Sequence, residues 1–253
     1  MKADGVKITV VTAYDYVMGR LVDEAGIDVA LVGDSLGMVV LGYDTTLQVT
    51  MEDMIRHCAA VSRGTKKSFL VVDMPFMSYQ VNEDEAVRNA GRLVQEGFAE
   101  AVKLEGGKTV SHLVRRIVDI GIPVMGHLGM TPQSVNQFGG YKTQGETSDS
   151  AQKIKDDALA LQESGVCAIV LEKIPSELAR ELSEMLSIPT IGIGAGPYCD
   201  GQVLVTYDLL GYYDKFTPPF VKKYADMWTT ALEGLKQYLT EVKTGIFPPR
   251  DMR

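Results

Sequence analysis

The stretch VALVGDSLGMVVLGY, residues 29–43, opens with four consecutive apolar residues and then places Gly33, Asp34 and Ser35 where the apolar run would continue. Consecutive apolar residues, without alternation, are typical of a parallel strand that is covered on both faces. A carboxylate that directly follows such a strand lies at the carboxyl end of the sheet. The stretch therefore predicts a buried parallel strand that carries Asp34 to that end.

Segments of the same kind recur along the chain and bring the total to eight. The other seven are KITVVTA (7–13), SFLVVDMP (68–75), AVKLEG (101–106), PVMGHLG (123–129), AIVLEKI (168–174), PTIGIGAG (189–196) and GQVLVTYD (201–208). Helical patterns lie between most of them. Their predicted starts are the capping-box pairs Thr50 with Asp53, Asn82 with Glu85 and Asp149 with Gln152, and Pro175, which suits a first helical turn.

Eight strand and helix units within 253 residues predict an α/β fold, a single (β/α)8 barrel of the TIM type, and one domain over residues 1–253. An open, doubly wound sheet has the same order of elements and remains the alternative. Apolar residues at steps of three and four between 225 and 242 predict a C-terminal helix. We expect this stripe to pack on the chain's own barrel, with a partner subunit as the alternative surface.

The overall charge of the chain favours a small-molecule partner. A formal net charge of -8 and a pI near 5.0 argue against nucleic acid or an anionic membrane, because both require clustered Lys and Arg. The N-terminal residues lack a signal-peptide pattern, and no segment is apolar for the length of a membrane span. The 3 cysteines form no CxxC pair, so we expect neither disulfides nor structural zinc, and a cytoplasmic location.

Two connections are unusually long for a compact domain. Residues 35–51 follow the second predicted strand, and residues 130–148 follow the fifth. Loops of this length are usually functional, and both leave from strand carboxyl ends, where barrel enzymes carry out their chemistry. We therefore expect these loops to surround an active site.

Polar residues mark the carboxyl ends of several predicted strands. They are Asp34, Asp73, Lys103, Glu105, His127 and Glu172. A single acid at a strand end is more often a helix cap or a loop anchor than a catalyst. Four carboxylates at one barrel mouth, however, repel one another and raise each other's pKa unless a cation lies among them. The pattern therefore predicts a bound cation.

The donor set indicates which cation. Carboxylate ligands without cysteine predict magnesium, manganese or calcium rather than zinc. Because Mg²⁺ typically takes one or two carboxylates and keeps other positions for water and substrate, Asp34 and Asp73 are the predicted pair, with Glu105 as a third or water-bridged ligand. Open positions indicate a chelating substrate, and chelation of a 2-oxo acid through its carboxylate and keto oxygens would stabilise an enolate. Glu172, farther around the ring, is then the predicted base for the adjacent C–H proton.

The other polar residues have competing interpretations. Lys103 is predicted either to bind an anionic substrate or to pair structurally with an acid, and a Schiff-base role is disfavoured because nearby carboxylates raise an amine's pKa. His127 is predicted to contact substrate or product, whereas His57 and His112 are expected to be surface or satisfied side chains. The GIGAG segment (192–196) lacks the GxGxxG spacing of dinucleotide sites and predicts close backbone packing.

Several blocks of the chain resemble the 3-methyl-2-oxobutanoate hydroxymethyltransferase family, also called the ketopantoate hydroxymethyltransferase family. They are TAYDY, LVGDSLGMVVLGYDTTLQVTMEDM, DMPFMSYQ, AVKLEGG, GIPVMGHLGMTPQSVNQFGGYKTQG, IPTIGIGAGPYCDGQVLV and DLLG. The blocks follow one another in order over nearly the whole chain, which makes the resemblance specific.

The resemblance implies a (β/α)8 enzyme that transfers a hydroxymethyl group from 5,10-methylenetetrahydrofolate to 3-methyl-2-oxobutanoate through a Mg²⁺-stabilised enolate. The product is 2-dehydropantoate, on the route to pantothenate and coenzyme A, and family members form large homo-oligomers, often decamers. The implied roles are metal ligation by Asp34 and Asp73, metal association by Glu105, substrate contact by Lys103 and Ser35, proton abstraction by Glu172, and lining of the pocket by His127.

The chain departs from the family pattern beside the implied base. Family members commonly have Cys and Val there, whereas LEKIP places Lys173 next to Glu172, and GMTPQ replaces the commoner GLTPQ. As the next residue along a strand, Lys173 is expected to point away from the site. A Mg²⁺-dependent oxo-acid lyase or hydrolase of the isocitrate lyase and phosphoenolpyruvate mutase type is the alternative function, although no KKCG-type loop occurs. A binding or scaffold protein without chemistry is a third interpretation.

Overall fold

The structure is a computed structural model that describes residues 1–213 and 218–249. Eight parallel strands pair in chain order, and the last pairs with the first to close a barrel. The strands are β1 (Ile8–Thr12), β2 (Val29–Val32), β3 (Phe69–Asp73), β4 (Ala101–Glu105), β5 (Val124–Gly129), β6 (Ala168–Glu172), β7 (Thr190–Ile193) and β8 (Gly201–Leu204). The predicted (β/α)8 barrel is therefore confirmed, and the open sheet is wrong.

The helices follow the strands along the chain. They are α1 (Tyr16–Glu24), α2 (Leu36–Val39), α3 (Met51–Gly64), α4 (Glu83–Gln95), α5 (Ser111–Asp119), α6 (Val135–Phe138), α7 (Ser148–Glu163), α8 (Ser176–Met185), α9 (Thr206–Leu209) and α10 (Met227–Thr244). Short 3₁₀ turns lie at Lys2–Asp4, Thr46–Gln48, Lys108–Val110 and Pro132–Ser134. Both long loops are thus partly helical, and both leave from strand carboxyl ends as predicted.

One apolar cluster fills the interior of the barrel with side chains from all eight strands. It consists of Val10, Val29, Leu31, Val71, Ala101, Met125, Ala168, Val170, Ile191 and Val203. The intervening Ala30 and Val32 of β2 are also fully buried. Because both faces of the strand exclude water, an uninterrupted apolar run is the pattern that this strand requires.

Two of the three predicted capping pairs are confirmed. Thr50 and Asp53 form both bonds of a capping box, and the Asn82 side chain accepts a hydrogen bond from Glu85 N. The pair of Asp149 with Gln152 is wrong, because α7 begins earlier with a reciprocal box between Thr147 and Ser150. A serine at the third helical position accepts and donates over the short distance that glutamate or glutamine usually covers.

The chain divides into two compact units, Met1–Leu204 and Val205–Arg253. The first is the barrel, and the second contains α9 and α10; a single domain over 1–253 remains a prediction. No residue of α10, all of which is described, is buried, so the predicted apolar stripe is not buried within this chain, contrary to the favoured interpretation. Among the described residues, no helix combines the length and the apolar character needed to cross a membrane.

Candidate active site

The barrel brings the polar residues predicted from the strand ends to its carboxyl end. The strand register places Asp73 beside Lys103, and Glu105 beside His127, on neighbouring strands. Glu172 is the last residue of β6. The first four of these side chains are buried and Glu172 is half-buried. Polar groups at such depth require partners, and several of them pair with one another, but His127 Nε2 and Asp73 Oδ1 form no hydrogen bond within the described residues.

Asp34 and Asp73 form a linked pair at the ends of β2 and β3. The backbone N–H of Asp34 donates to Asp73 Oδ2 at 3.0 Å, and Lys103 Nζ lies 2.9 Å from Asp73 Oδ1. The three residues expose 5%, 4% and 5% of their surfaces. Lys103 is therefore paired with an acid, as the structural interpretation predicted. It also lies inside the site, which is the position that the substrate-binding interpretation requires.

His127 connects the pair to the predicted base. Its Nδ1 lies 3.2 Å from Lys103 Nζ and 3.6 Å from Glu105 Oε1, and its Nε2 lies 3.3 Å from Glu172 Oε2. Since Lys103 is a donor, this arrangement favours an unprotonated Nδ1 and a proton on Nε2, on the side of Glu172. The ring thus joins the lysine end of the site to Glu172.

Gln133, in the long loop after β5, was missed by the sequence analysis and connects two acids of the site. Its backbone N–H donates to Glu105 Oε2 at 3.0 Å, while its side-chain Nε2 donates to Asp34 Oδ2 at 2.9 Å and to Met74 O at 2.9 Å. Tyr79 OH donates to Gln133 Oε1 at 2.9 Å. A loop residue such as Gln133 belongs to no hydrophobic periodicity, so its place in the GMTPQ block was the only feature of the sequence that indicated it.

Ser35, the implied substrate contact, begins the long loop after β2. Its Oγ lies 2.9 Å from the hydroxyl of Tyr14, a residue in the TAYDY block that is 1% exposed. The carbonyl of Tyr14 is in turn bonded to Nδ1 of His57. His57 is therefore a satisfied side chain, as expected, and His112, with 77% of its side chain exposed, lies on the surface.

Lys173 bonds to the loop after β5, while its charge still acts on Glu172. Its ammonium donates to the carbonyl of Tyr141, in the loop after β5. The residue has a positive φ of 45°. The turn that follows Glu172 therefore separates two consecutive side chains: Glu172 lies beside His127, and Lys173 bonds to the loop after β5.

A sequence profile described as ketopantoate hydroxymethyltransferase matches residues 1–250. The chain belongs to the ketopantoate hydroxymethyltransferase family. Relatives with the name 3-methyl-2-oxobutanoate hydroxymethyltransferase cover nearly the same length. The protein of Thermoanaerobacter sp. (strain X514) is 56% identical over 250 residues, which are 99% of this chain and 91% of that protein. That of Acetivibrio thermocellus is 58% identical over 247 residues, 98% of this chain and 87% of that protein.

Solved structures with the same fold include enzymes with other names. A 2,3-dimethylmalate lyase, described as a member of the PEP mutase/isocitrate lyase superfamily, has a TM-score of 0.63 and 16% identity, and the match covers 99% of this chain and 88% of that chain. A phosphonopyruvate hydrolase in complex with oxalate and Mg²⁺ has a TM-score of 0.65 and 11% identity, covering 98% and 87%. At such identities the likeness establishes the barrel, while family membership establishes an enzyme of the hydroxymethyltransferase class.

In this ketopantoate hydroxymethyltransferase family member, burial tunes Glu172 and His127 in opposite directions. Burial raises the pKa of Glu172 to about 7, although the charges of Lys103 and Lys173 oppose the shift. Burial, followed by the charge of Lys103, holds the pKa of His127 well below its usual range. A carboxylate with a pKa near neutrality is well suited to general base catalysis, and the neutral imidazole beside it is a hydrogen-bond donor.

The acids of the site outnumber its positive charges. Burial and the charge of Asp73 raise the pKa of Asp34 to about 7, and burial and Asp34 raise that of Glu105 well above its usual range. Burial also lowers the pKa of Lys103, but the charges of Asp73, Glu105 and Asp34 outweigh it and hold the pKa above its ordinary value. A single buried ammonium among four acids leaves excess negative charge, which is the electrostatic condition for a cation site.

The donors that are present fit Mg²⁺ bound by few protein ligands. In the described part of the chain, no group of three or more His, Cys, Asp or Glu side chains is arranged to hold a metal by itself. Asp34 and Asp73 supply two buried carboxylates, and Asp73 Oδ1 accepts no hydrogen bond although it pairs with Lys103. Two carboxylates with water and substrate in the other positions are a common Mg²⁺ set. Since Gln133 and His127 flank its carboxylate, Glu105 suits the water-bridged alternative better.

Proposed function

We propose that this chain transfers a hydroxymethyl group from 5,10-methylenetetrahydrofolate to 3-methyl-2-oxobutanoate and forms 2-dehydropantoate. The observation that carries the proposal is the placement of Glu172, with a pKa of about 7, on the opposite side of His127 from the pair of Lys103 and Asp73. This arrangement offers a base on one side and an anion-binding group on the other. Family membership supplies the reaction class.

Asp34 and Asp73 would hold Mg²⁺, with Glu105 joined through water. When bound, the metal would act as a Lewis acid that stabilises negative charge on the keto oxygen of the oxo acid. It would also balance the excess of carboxylates described above. The neighbouring residues position the two ligands: Gln133 donates a hydrogen bond to Asp34, and Lys103 forms an ion pair with Asp73.

Binding of the oxo acid falls to the cationic and hydroxyl groups of the site. Lys103 is the only lysine or arginine among the six predicted strand-end residues, and it offers its charge to the substrate carboxylate. Ser35 is oriented by the hydroxyl of Tyr14 at 2.9 Å and supplies a second polar contact. Together they orient the C3–H bond toward Glu172.

Glu172 is the base in the proposed mechanism. Its carboxylate removes the C3 proton, and the electron pair of the C–H bond moves toward the keto oxygen. The Nε2 of His127, 3.3 Å from Glu172 Oε2, can hydrogen bond to the carboxylate or to the developing oxyanion. One oxyanion contact is typically worth about 3 to 4 kcal/mol of transition-state stabilisation.

Carbon–carbon bond formation completes the reaction. The nucleophilic C3 attacks the methylene carbon of the folate. Both carbon–nitrogen bonds of the methylene carbon break: one is replaced by the bond to C3 and the other by a bond to the oxygen of water, which becomes the new hydroxyl group. The two nitrogens of tetrahydrofolate take up two protons, the one that Glu172 removed from C3 and one from water. The identity of the carbon donor rests on the family resemblance.

The principal competing function is a Mg²⁺-dependent lyase or hydrolase, as in the structural neighbours with the same barrel. An assay with methylene-labelled 5,10-methylenetetrahydrofolate, 3-methyl-2-oxobutanoate and Mg²⁺ separates the possibilities. Label in 2-dehydropantoate, detected by mass spectrometry, supports the transferase. Cleavage of 2,3-dimethylmalate without label transfer supports a lyase, and binding of the oxo acid without turnover supports a binding protein.

We also propose that the protein acts as a cytoplasmic homo-oligomer, in the form of a decamer. The oligomer rests on the family resemblance and on the exposed apolar side chains of α10, among them Leu235 at 67% exposure. The cytoplasmic location rests on Cys58, Cys167 and Cys199, all of which are free thiols. Native mass spectrometry of the purified chain would measure the number of subunits directly.

A further inference from the structure

The residue that follows Glu172 has an unusual backbone. Lys173 has a φ of 45°, in the left-handed region that residues with a Cβ rarely adopt. Both of its backbone polar groups are bonded: its N–H donates to Ile193 O at 2.9 Å, and its carbonyl accepts from Gln144 N at 2.9 Å. Such a conformation costs free energy and persists only where the surroundings hold it.

The side chain of Lys173 contacts the same loop as its backbone does. Its ammonium donates to the carbonyl of Tyr141, three residues before the Gln144 amide that bonds to its own carbonyl. Lys173 therefore holds residues 141–144 at two points. These bonds attach the far part of the long loop after β5 to the turn that carries Glu172.

Tyr141 extends from this attachment toward the other long loop. Its hydroxyl donates to Met38 Sδ at 3.7 Å, and Met38 lies in α2, directly after Asp34 and Ser35. Burial, followed by the charges of Glu172 and Asp34, raises the pKa of its phenol, which indicates a ring close to the site. Tyr141 thus spans from the end of β6 to the loop that follows β2.

We propose that Lys173 is a positioning residue that latches Tyr141 across the mouth of the site. The role of this latch in the reaction rests on the proposed function, whereas the contacts that form it do not. A latched Tyr141 keeps the loop closed while Glu172 removes the substrate proton, and it limits the access of water to the reacting groups. Lys173 acts through Tyr141 and does not touch the substrate.

The loop itself contains a reporter of the latch. Lys142 is exposed and lies between the two points of attachment, so trypsin cleavage after Lys142 measures how often this segment opens. The test variant is Lys173→Asn, because asparagine tolerates a positive φ and lacks the ammonium. Lys173→Arg keeps a cationic donor, and Lys67→Asn removes an exposed lysine from a different loop.

We expect cleavage after Lys142 to be about 10-fold faster in Lys173→Asn, with the urea midpoint of unfolding unchanged or raised because the strain is relieved. Lys173→Arg and Lys67→Asn should be cleaved at the rate of the unmodified protein. An unchanged rate in Lys173→Asn would overturn the latch. An equal acceleration at all tryptic sites with a lower urea midpoint would also overturn it, because it would show a general structural role.

The purpose of the latch is tested by kinetics on the same variants. We expect kcat to fall several-fold in Lys173→Asn, with a smaller change in KM, and to recover in Lys173→Arg. Faster cleavage after Lys142 with unchanged kcat would overturn the link between the latch and the reaction. Because cleavage requires neither substrate nor metal, failure of the proposed function would leave the proteolysis result intact and would appear separately.

Discussion

Gln133 Nε2 donates to Asp34 Oδ2 at 2.9 Å, and this bond spans from the loop after β5 to the loop after β2. The backbone N–H of Gln133 donates to Glu105 Oε2 at 3.0 Å. Because Gln133 bonds to both carboxylates, its size determines the distance between Asp34 and Glu105. Tyr79 OH bonds to the amide oxygen and so fixes the orientation of the amide. Two of the four acids of the site, Asp34 and Glu105, are thus positioned by a residue that has no charge of its own.

Replacement of Gln133 by methionine tests this positioning. The Gln133→Met variant keeps the length of the side chain and the backbone donor to Glu105, but it leaves Asp34 Oδ2 without its amide partner. Loss of such an outer contact typically costs about 10- to 100-fold in metal affinity. We expect a loss of this size in Mg²⁺ binding measured by isothermal titration calorimetry. Gln152→Met, an exposed helix position, is the matched control, and equal affinities in both variants would contradict the role of Gln133.

Gly129 and Gly121 provide a matched pair for testing the position of Glu172. Both have a φ of 93°, but a Cβ on Gly129 would lie 2.2 Å from Glu172 O, whereas nothing lies within 4 Å of one on Gly121. Gly121→Ala should cost only the left-handed strain, about 1 to 2 kcal/mol. Gly129→Ala should add about 1 to 3 kcal/mol of overpacking.

The same pair should differ in activity. Displacement of Glu172 by the new methyl group in Gly129→Ala should lower kcat/KM by about 100-fold, because small misplacements of a catalytic group are costly. Gly121→Ala should retain the kcat/KM of the unmodified protein. Steady-state kinetics on folded protein, with urea unfolding as the stability measurement, would show both effects. Equal kcat/KM in the two variants would argue against Glu172 as the base.

Lys103 and Asp73 form a buried ion pair at 2.9 Å whose partners depend on each other. Lys103→Met leaves the carboxylates without their buried ammonium and should lower the free energy of unfolding by about 3 to 5 kcal/mol. The double variant Lys103→Met with Asp73→Asn should recover part of that loss, because the uncompensated charge is removed. A double-mutant cycle by urea denaturation measures the coupling, and strict additivity would show that the pair is not coupled.

Asp23 gives the fold a defined response to acid. Its Oδ1 accepts hydrogen bonds from the backbone N–H groups of Lys66, Lys67 and Ser68 at 2.8, 2.7 and 2.9 Å. These bonds lower the pKa of Asp23 to about 2 from an ordinary value of 3.8. Because the folded pKa is the lower one, the stabilisation is fully present above about pH 4 and is lost as the pH falls toward 2.

The Asp23→Asn variant should therefore be less stable than the unmodified protein at pH 6, by roughly 1 to 2 kcal/mol. This difference should shrink as the pH is lowered through 3. Urea unfolding at a series of pH values measures it, with the exposed Asp156→Asn as control. A stability difference that stays constant from pH 6 to pH 3 would be incompatible with the lowered pKa.

The strands and the polar residues at their ends could be predicted from the sequence. A strand such as β2 is buried on both faces, so its apolar run marks it without reference to the rest of the chain. Parallel strands of a closed barrel share one carboxyl end, so Asp34, Asp73 and Glu172 had to converge once the barrel was assumed. The direction of Lys173 could not be predicted from the alternation of side chains along a strand, because β6 ends at Glu172 and Lys173 lies in a turn with a φ of 45°.

What could not be predicted depends on contacts between distant loops. Gln133 is 99 residues from Asp34, and nothing local to either residue encodes their hydrogen bond. The same holds for Tyr141 and Met38, which are 103 residues apart. The start of α7 was misplaced for a local reason, since the shorter Thr147 and Ser150 formed the box in place of Asp149 and Gln152. Loop positions and helix ends thus needed the tertiary structure.

The central claim, that Glu172 removes the C3 proton of a 2-oxo acid, is tested most directly by hydrogen exchange in the substrate. Proton NMR of 3-methyl-2-oxobutanoate in D₂O, with Mg²⁺ and without folate, follows replacement of the C3 proton by deuterium. The account predicts metal-dependent exchange with the unmodified protein and a loss of at least about 100-fold in Glu172→Gln. Equal exchange in the two proteins, with the oxo acid bound to both, would contradict the account.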